Sequence, residues 1–295
     1  MNRQLTKLSL VALLICLFSG LAYAQELRGT TRRRKANARR KLLKQLCEIV
    51  GPHKNVGYDG LWNVYKDSDI RPGTNYYWDM YSTSKFREGQ QKCGNYSHVG
   101  DCVNREHSFP KSWFKEGQPM KSDAFHVYPT DGKVNGQRSN FPYGECANGT
   151  TLPSSNGVDA LGKLGKSTFP GYSGTVFEPV DEYKGDFARS YFYMAACYND
   201  KIASWSSPML AGNSYPCYTT WAVNLLLKWN EQDPVSQKEI DRNNAVYKHQ
   251  NNRNPFIDHP ELAEYIWGDK QNIGWTPGGV VDPKITSPYN GSTVD

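Results

Sequence analysis

The string Asn104-Arg105-Glu106-His107 sets an imidazole beside a carboxylate, and Pro129-Thr130-Asp131-Gly132-Lys133-Val134-Asn135-Gly136-Gln137-Arg138-Ser139-Asn140 follows it a short way along the chain. His107 is a candidate base and Glu106 a hard oxygen ligand. The second string reads as a short helix that brings a further oxygen ligand and a cation. If Thr130 caps that helix, Asp131, Asn135 and Arg138 stand at i, i+4 and i+7 and share one face. Such a set is equipped to cut phosphodiesters with the help of a metal ion.

The elements that must position these groups are partly legible. Neighbouring strand residues point to opposite faces, so Glu106 and His107 serve one phosphate only if their strand ends or bends there, and Pro110 fits such an ending. Gly132 and Gly136 make a smooth edge beside the Asp131 face. Two glycines in a short helix are costly, which points either to tight packing against a neighbour or to close approach of a nucleic-acid backbone. His53, His98, His249 and His259 show no ligand spacing, and no H-E-x-x-H occurs, which disfavours a zinc protease.

With 295 residues and 38% hydrophobic content the chain can bury a full core, read here as one domain. Residues 1–24 read as a signal peptide: Arg3 and Lys7, an apolar run from Leu8 to Leu21, and Ala22-Tyr23-Ala24 as the cleavage site. The mature protein is expected to start at Gln25, to be secreted or periplasmic in a bacterium, and to be a monomer without a membrane anchor. The net charge of +6 falls to +4 when Arg3 and Lys7 leave, a modest excess that suits a polyanion. Residues 25–57 form a basic arm and first helix, with Arg28, Arg32, Arg33, Arg34 and Lys35 leading into Leu42, Leu43, Leu46 and Ile49 on one helix side. The arm either tracks a phosphate backbone or is a solvated leader. Without Cys16, six of the seven cysteines remain, and an even number in an oxidising compartment implies disulfides among Cys47, Cys93, Cys102, Cys146, Cys197 and Cys217. Cys93 and Cys102 bracket a plausible hairpin and are the first expected pair.

Between Tyr58 and Tyr81 short strands and aromatic loops are expected, as they are from Cys93 to His107. Gly144 to Thr175 reads as a loop-rich insert. The second half is more helical: Asp186 to Cys197, Thr219 to Trp229, and a helix started by Asp233-Pro234 and running to about Gln250. The cluster of Asn243, Asn244, Asn251, Asn252, Arg253 and Asn254 is either a groove wall or capping and loop closure. Residues 269–295 read as a surface tail.

The strings NREHSFPKSWF, HVYPTDGKVNGQRSN, GDFARSYFYM, LLLKWNEQDPV and NRNPFIDHPEL together resemble the endonuclease I family of exported bacterial nucleases, over a catalytic domain of residues 58–268. The resemblance implies an α+β fold, a single mixed domain built around a ββα-metal (His-Me finger) motif, disulfide-stabilised, with a helical second half. It implies that His107 is the general base, that Glu106 and Asn135 hold one divalent cation, and that DNA and RNA are cut to 5′-phosphate and 3′-hydroxyl ends. An oxygen-only shell suits Mg2+, with Ca2+ or Mn2+ as alternatives, far better than zinc. Some relatives carry a phosphate-gripping arginine between base and metal helix; here Ser108 to Phe125 has Lys111, Lys115 and Lys121 instead. Arg138 is the first candidate for the grip and is expected to be catalytic with His107, while Arg105, Lys111, Lys115 and Lys121 are expected to bind substrate beside it; the other reading of Arg138 is a salt bridge to a carboxylate. His126 and Asp131 are expected to be structural. Two other readings stand beside the nuclease: an inactive relative that binds nucleic acid, and a disulfide-stapled binding protein for an acidic surface polymer.

Overall fold

The computed structural model describes residues 37–270 and Trp275, so the expected signal segment, the arm up to residue 36 and nearly all of the expected tail lie outside the described residues. Helix α1 covers 37–50 and buries Leu43, Leu46 and Val50, whereas Ile49 is 71% exposed. The apolar face is therefore turned one step from the expected Leu42–Ile49 side. Helix α2 (Leu61–Ser68) corrects the expectation of strands after Tyr58: Leu61, Val64 and Tyr65 recur at helical spacing and are buried.

Strand β1 (Val103–His107) pairs antiparallel with β2 (Val127–Asp131), Glu106 opposite Tyr128 and His107 opposite Val127. Their connection holds two 3-10 turns, Lys111–Phe114 and Met120–Ser122. Helix α3 (Gly132–Arg138) leaves β2 without a linker, and its N-cap is Asp131, not Thr130. The Asp131 carboxylate accepts from the backbone N–H groups of Lys133 and Val134, so two of the orphan donors of the first turn are satisfied. Within the expected insert, β3 (Lys163–Lys166) pairs antiparallel with β4 (Thr175–Glu178).

Helix α4 (Lys184–Cys197) is buried at every position and runs through the core. Its charged residues are paired there: Arg189 grips Glu239 through Nε at 2.6 Å and Nη2 at 2.7 Å, and Asp186 takes Lys238. Helix α5 (Thr220–Gln232) packs on α4. Helix α6 (Gln237–Gln250) starts later than Asp233-Pro234 because Ser236 and Glu239 form a capping box, while Asp233 caps the C-terminus of α5. Short helices α7 (Pro255–Asp258) and α8 (Leu262–Ile266) close the chain around Trp267. Asn243, Asn252 and Asn254 are buried and donate to the carbonyls of Asn254, Val50 and Arg189, so these three brace the turn after α6 against α1 and α4. The result is a mixed helix and strand domain around one core.

One disulfide, Cys93–Cys102, is present, as expected first. Cys47, Cys146, Cys197 and Cys217 are free thiols, which corrects the expectation of a fully paired set. Among the described residues no helix is long and apolar enough to cross a membrane.

Candidate active site

A groove of about 700 Å3 opens over the end of β1 and the middle and C-terminal end of α3, and His107, Glu106, Asn135 and Asn104 all line it. The strand does end at His107, which lets a neighbouring pair that would otherwise face apart share one cavity. Arg242 on α6 braces this unit from behind, donating to the carbonyls of Ala124 at 2.6 Å and Val127 at 3.2 Å.

His107 is packed between Tyr58 and His126 and is only 5% exposed. Its Nε2 lies 3.1 Å from the carbonyl of Lys121. A carbonyl only accepts, so Nε2 carries the proton and Nδ1 holds the free lone pair. Burial, helped by His126, pushes the imidazole down to about 3, so it is neutral at ordinary pH.

Glu106 is 3% exposed, and Tyr81 OH at 3.0 Å and Arg138 Nη1 at 2.7 Å both donate to its Oε1. Oε2 is the oxygen left for a ligand. Burial lifts the Glu106 carboxyl above its ordinary range, while the Arg138 guanidinium and the Tyr81 hydroxyl pull the other way. Asn135 donates its Nδ2 to Asn104 Oδ1 at 2.7 Å, which leaves Asn135 Oδ1 as its uncommitted atom. A carboxylate oxygen and an amide oxygen at one groove fit a hard divalent cation.

Arg138 does not reach the groove. It is 0% exposed, its Nη1 also donates to the His107 carbonyl at 2.7 Å, and its Nη2 donates to that of Ser108. This removes it from the phosphate-gripping and catalytic roles and leaves the salt bridge to a carboxylate. Arg105 lines the groove, but its Nη1 is held by the Tyr58 carbonyl at 2.7 Å and Asp59 at 2.9 Å. Lys111 lines the groove too, and both Lys111 and Lys121 pair with Glu116, whose carboxyl they hold down at about 2. Lys115 is exposed and lies outside the groove lining. His126 is fully buried, its Nε2 2.6 Å from the Met120 carbonyl.

Asp131 does more than cap α3: its Oδ2 accepts from Gly100 N at 2.7 Å, tying the disulfide loop to the helix. Asp79, unmarked by any sequence signal, accepts from the backbone of both Tyr81 and Asp131, and burial pushes it up to about 6. Tyr96, inside the disulfide loop, explains the two glycines. A Cβ at Gly132 would stand 2.7 Å from the Tyr96 ring, and one at Gly136 2.5 Å from its hydroxyl. Packing, not access for a backbone, is what the smooth edge serves.

A second group of possible ligands, His53, Asp123 and Cys197, has its donor atoms within 4.8 Å of one another. The Asp123 oxygens already accept from Tyr193 at 2.7 Å, Tyr198 at 2.6 Å and Gln250 at 3.0 Å. These bonds account for the cluster as a satisfied buried network without a cation.

A match to the family described as Endonuclease I spans residues 39–261. The chain is 35% identical to an extracellular ribonuclease of Bacillus amyloliquefaciens over 237 residues, 75% of this chain and 72% of that protein. It is 29% identical to Endonuclease-1 of Buchnera aphidicola subsp. Baizongia pistaciae over 144 residues, 48% of this chain and 47% of that one. Against an extracellular deoxyribonuclease of Aeromonas hydrophila it is 27% identical over 139 residues, 47% and 50% of the two chains.

Proposed function

Because the chain belongs to the endonuclease I family, we propose that it is an exported, metal-dependent endonuclease that hydrolyses phosphodiester bonds of DNA and RNA without reading base sequence. The observation that carries this reading is His107, its Nε2 held 3.1 Å from the Lys121 carbonyl, in one groove with Glu106 and Asn135. Relatives named as extracellular ribonuclease and extracellular deoxyribonuclease support both export and tolerance of either sugar.

In this reading the pair β1–β2 and helix α3 form a ββα-metal unit. His107 Nδ1 takes the proton of the attacking water, and the Lys121 carbonyl holds the ring in the tautomer that does so. Glu106 and Asn135 Oδ1 would hold a divalent cation, Mg2+ above Ca2+ or Mn2+, which when bound would supply Lewis-acid stabilisation of the phosphate and of the leaving 3′ oxygen. Tyr81 and Arg138 fix the Glu106 carboxylate from behind, and Asn104 fixes the Asn135 amide. The products are 5′-phosphate and 3′-hydroxyl ends. Water is the nucleophile, so the 2′-hydroxyl is not needed.

The test is cleavage of supercoiled plasmid and of a structured RNA by the chain from Gln25, with Mg2+ or with chelator, beside His107→Ala. Both substrates should be lost only with metal, and the variant should be slower by about 10²–10⁴-fold. Cleavage that persists in chelator, or at full rate in His107→Ala, would overturn the assignment.

A further inference from the structure

Along the groove wall beside His107, rings and cations alternate. The Tyr58 ring lies 5.9 Å from the His107 ring, with the planes 23° apart. The Arg105 guanidinium carbon stands 3.5 Å from the Tyr58 centroid and 5.3 Å from that of Trp62. Lys92 Nζ is 4.5 Å from the Trp62 centroid. All four line the same groove as the catalytic groups, and none has a role in the hydrolysis itself.

The bland account is that these contacts only hold a loop in place. Trp62 packs against the core with one part only, however: it remains part-exposed, Lys92 is exposed, and both line the groove. Arg105 is pinned by Tyr58 and Asp59 through Nη1 alone, which sets its plane without using Nε or Nη2. At 3.5 Å from the Tyr58 centroid that plane is stacked, and a stacked guanidinium is itself a platform for a base. Trp62 is steadied by Tyr65 and Tyr77, at 5.6 and 5.8 Å between centroids.

We propose that this wall is a subsite for an unpaired strand, with Trp62 and the Arg105 plane stacking bases and Lys92 meeting a phosphate, so that single-stranded DNA or RNA is bound in preference to duplex. A base stacks on such a platform only when its own face is free, whereas a duplex presents phosphates and hides its faces. The subsite deepens the nuclease reading and rests on it for the polymer class.

Binding of labelled oligothymidylate, oligouridylate and a duplex of equal length is measured on His107→Ala protein, which separates binding from cutting. Both single strands should bind tighter than the duplex. Adding Trp62→Ala should lower the single-strand to duplex affinity ratio by about tenfold, and Trp62→Phe should restore most of it. Lys92→Gln should reduce the salt slope for the single strands by about 0.7. An unchanged ratio in Trp62→Ala, or a duplex that binds tightest, would overturn the subsite. Photo-crosslinking of 5-iodouracil oligonucleotides to His107→Ala needs no change in the wall: adducts at Tyr58 or Trp62 support it, and adducts only elsewhere overturn it. If the wild-type chain cuts nothing, the nuclease reading falls, and these ratios still decide the subsite.

Discussion

The Glu106–Arg138 pair is the residue on which the site most depends for its shape, since a single guanidinium fixes the carboxylate and two carbonyls at the end of β1. Both side chains are buried, so removing one leaves the other charged and unpaired. Arg138→Met should cost about 3–5 kcal/mol in urea unfolding, and Glu106→Gln in the same chain should recover part of that. A loss below about 1 kcal/mol would show that the pair is not holding a buried charge. His126, with His107, supplies a pH dependence. Burial depresses its pKa in the folded protein, while the unfolded chain takes the proton near 6.5. Below about pH 6.5 the unfolded state therefore binds more protons, and stability falls as pH drops toward the depressed value, by up to about 1.4 kcal/mol per pH unit. Urea unfolding between pH 5 and pH 8 should show this decline, and His126→Asn should make it shallower, the remainder coming from His107; equal slopes would exclude His126 as a contributor. At this scale the Glu-His string was legible because its residue types are the chemistry. Whether Arg138 met solvent was not, because helical spacing says which residues share a face and not what that face touches.

Among the elements, α3 shows how a sequence signal can be real and its partner invisible. Glycine to alanine inside a helix ordinarily stabilises by about 1 kcal/mol. Gly136→Ala should do the reverse, costing about 1–3 kcal/mol and slowing cleavage, because the new methyl group meets Tyr96 and shifts the helix that carries Asn135. Tyr96→Ala should relieve the clash in the double variant, and thermal melts with plasmid cleavage rates check both; a stabilised Gly136→Ala would mean that Tyr96 moves aside freely. The glycine pair announced close packing, but the ring it packs against sits on a separate loop that no periodicity marks. Helix α2 was missed because aromatic residues around it favour strands, and only burial of Leu61, Val64 and Tyr65 on one side decides the matter. The α6 boundary shifted because Asp-Pro and Ser-x-x-Glu both start helices, and the reciprocal bonds of Ser236 and Glu239 favour the second.

For the molecule as a whole, the core among the described residues is organised around α4, whose charged residues are paired inside, while the six cysteines there contribute one cross-link and four thiols. The even cysteine count suggested more bridges because counting carries no distances. A reducing agent consequently has a single bond to act on in the described residues. The loop which that bond closes holds Tyr96 against α3 and passes Gly100 to the carboxylate that caps the same helix. Reduction, or Cys93→Ser with Cys102→Ser, should slow cleavage by about tenfold while far-UV circular dichroism keeps its helical signal, because one bond closing a short loop is worth about 2–3 kcal/mol. Full activity in the double serine variant would show that the loop is held without it. In the proposed site, a chain not yet oxidised would lack the tether that holds Tyr96 against α3. On that reading the groove would be completed only where this bond can form, so the oxidising character of the compartment, and not the fold alone, would set when it is ready.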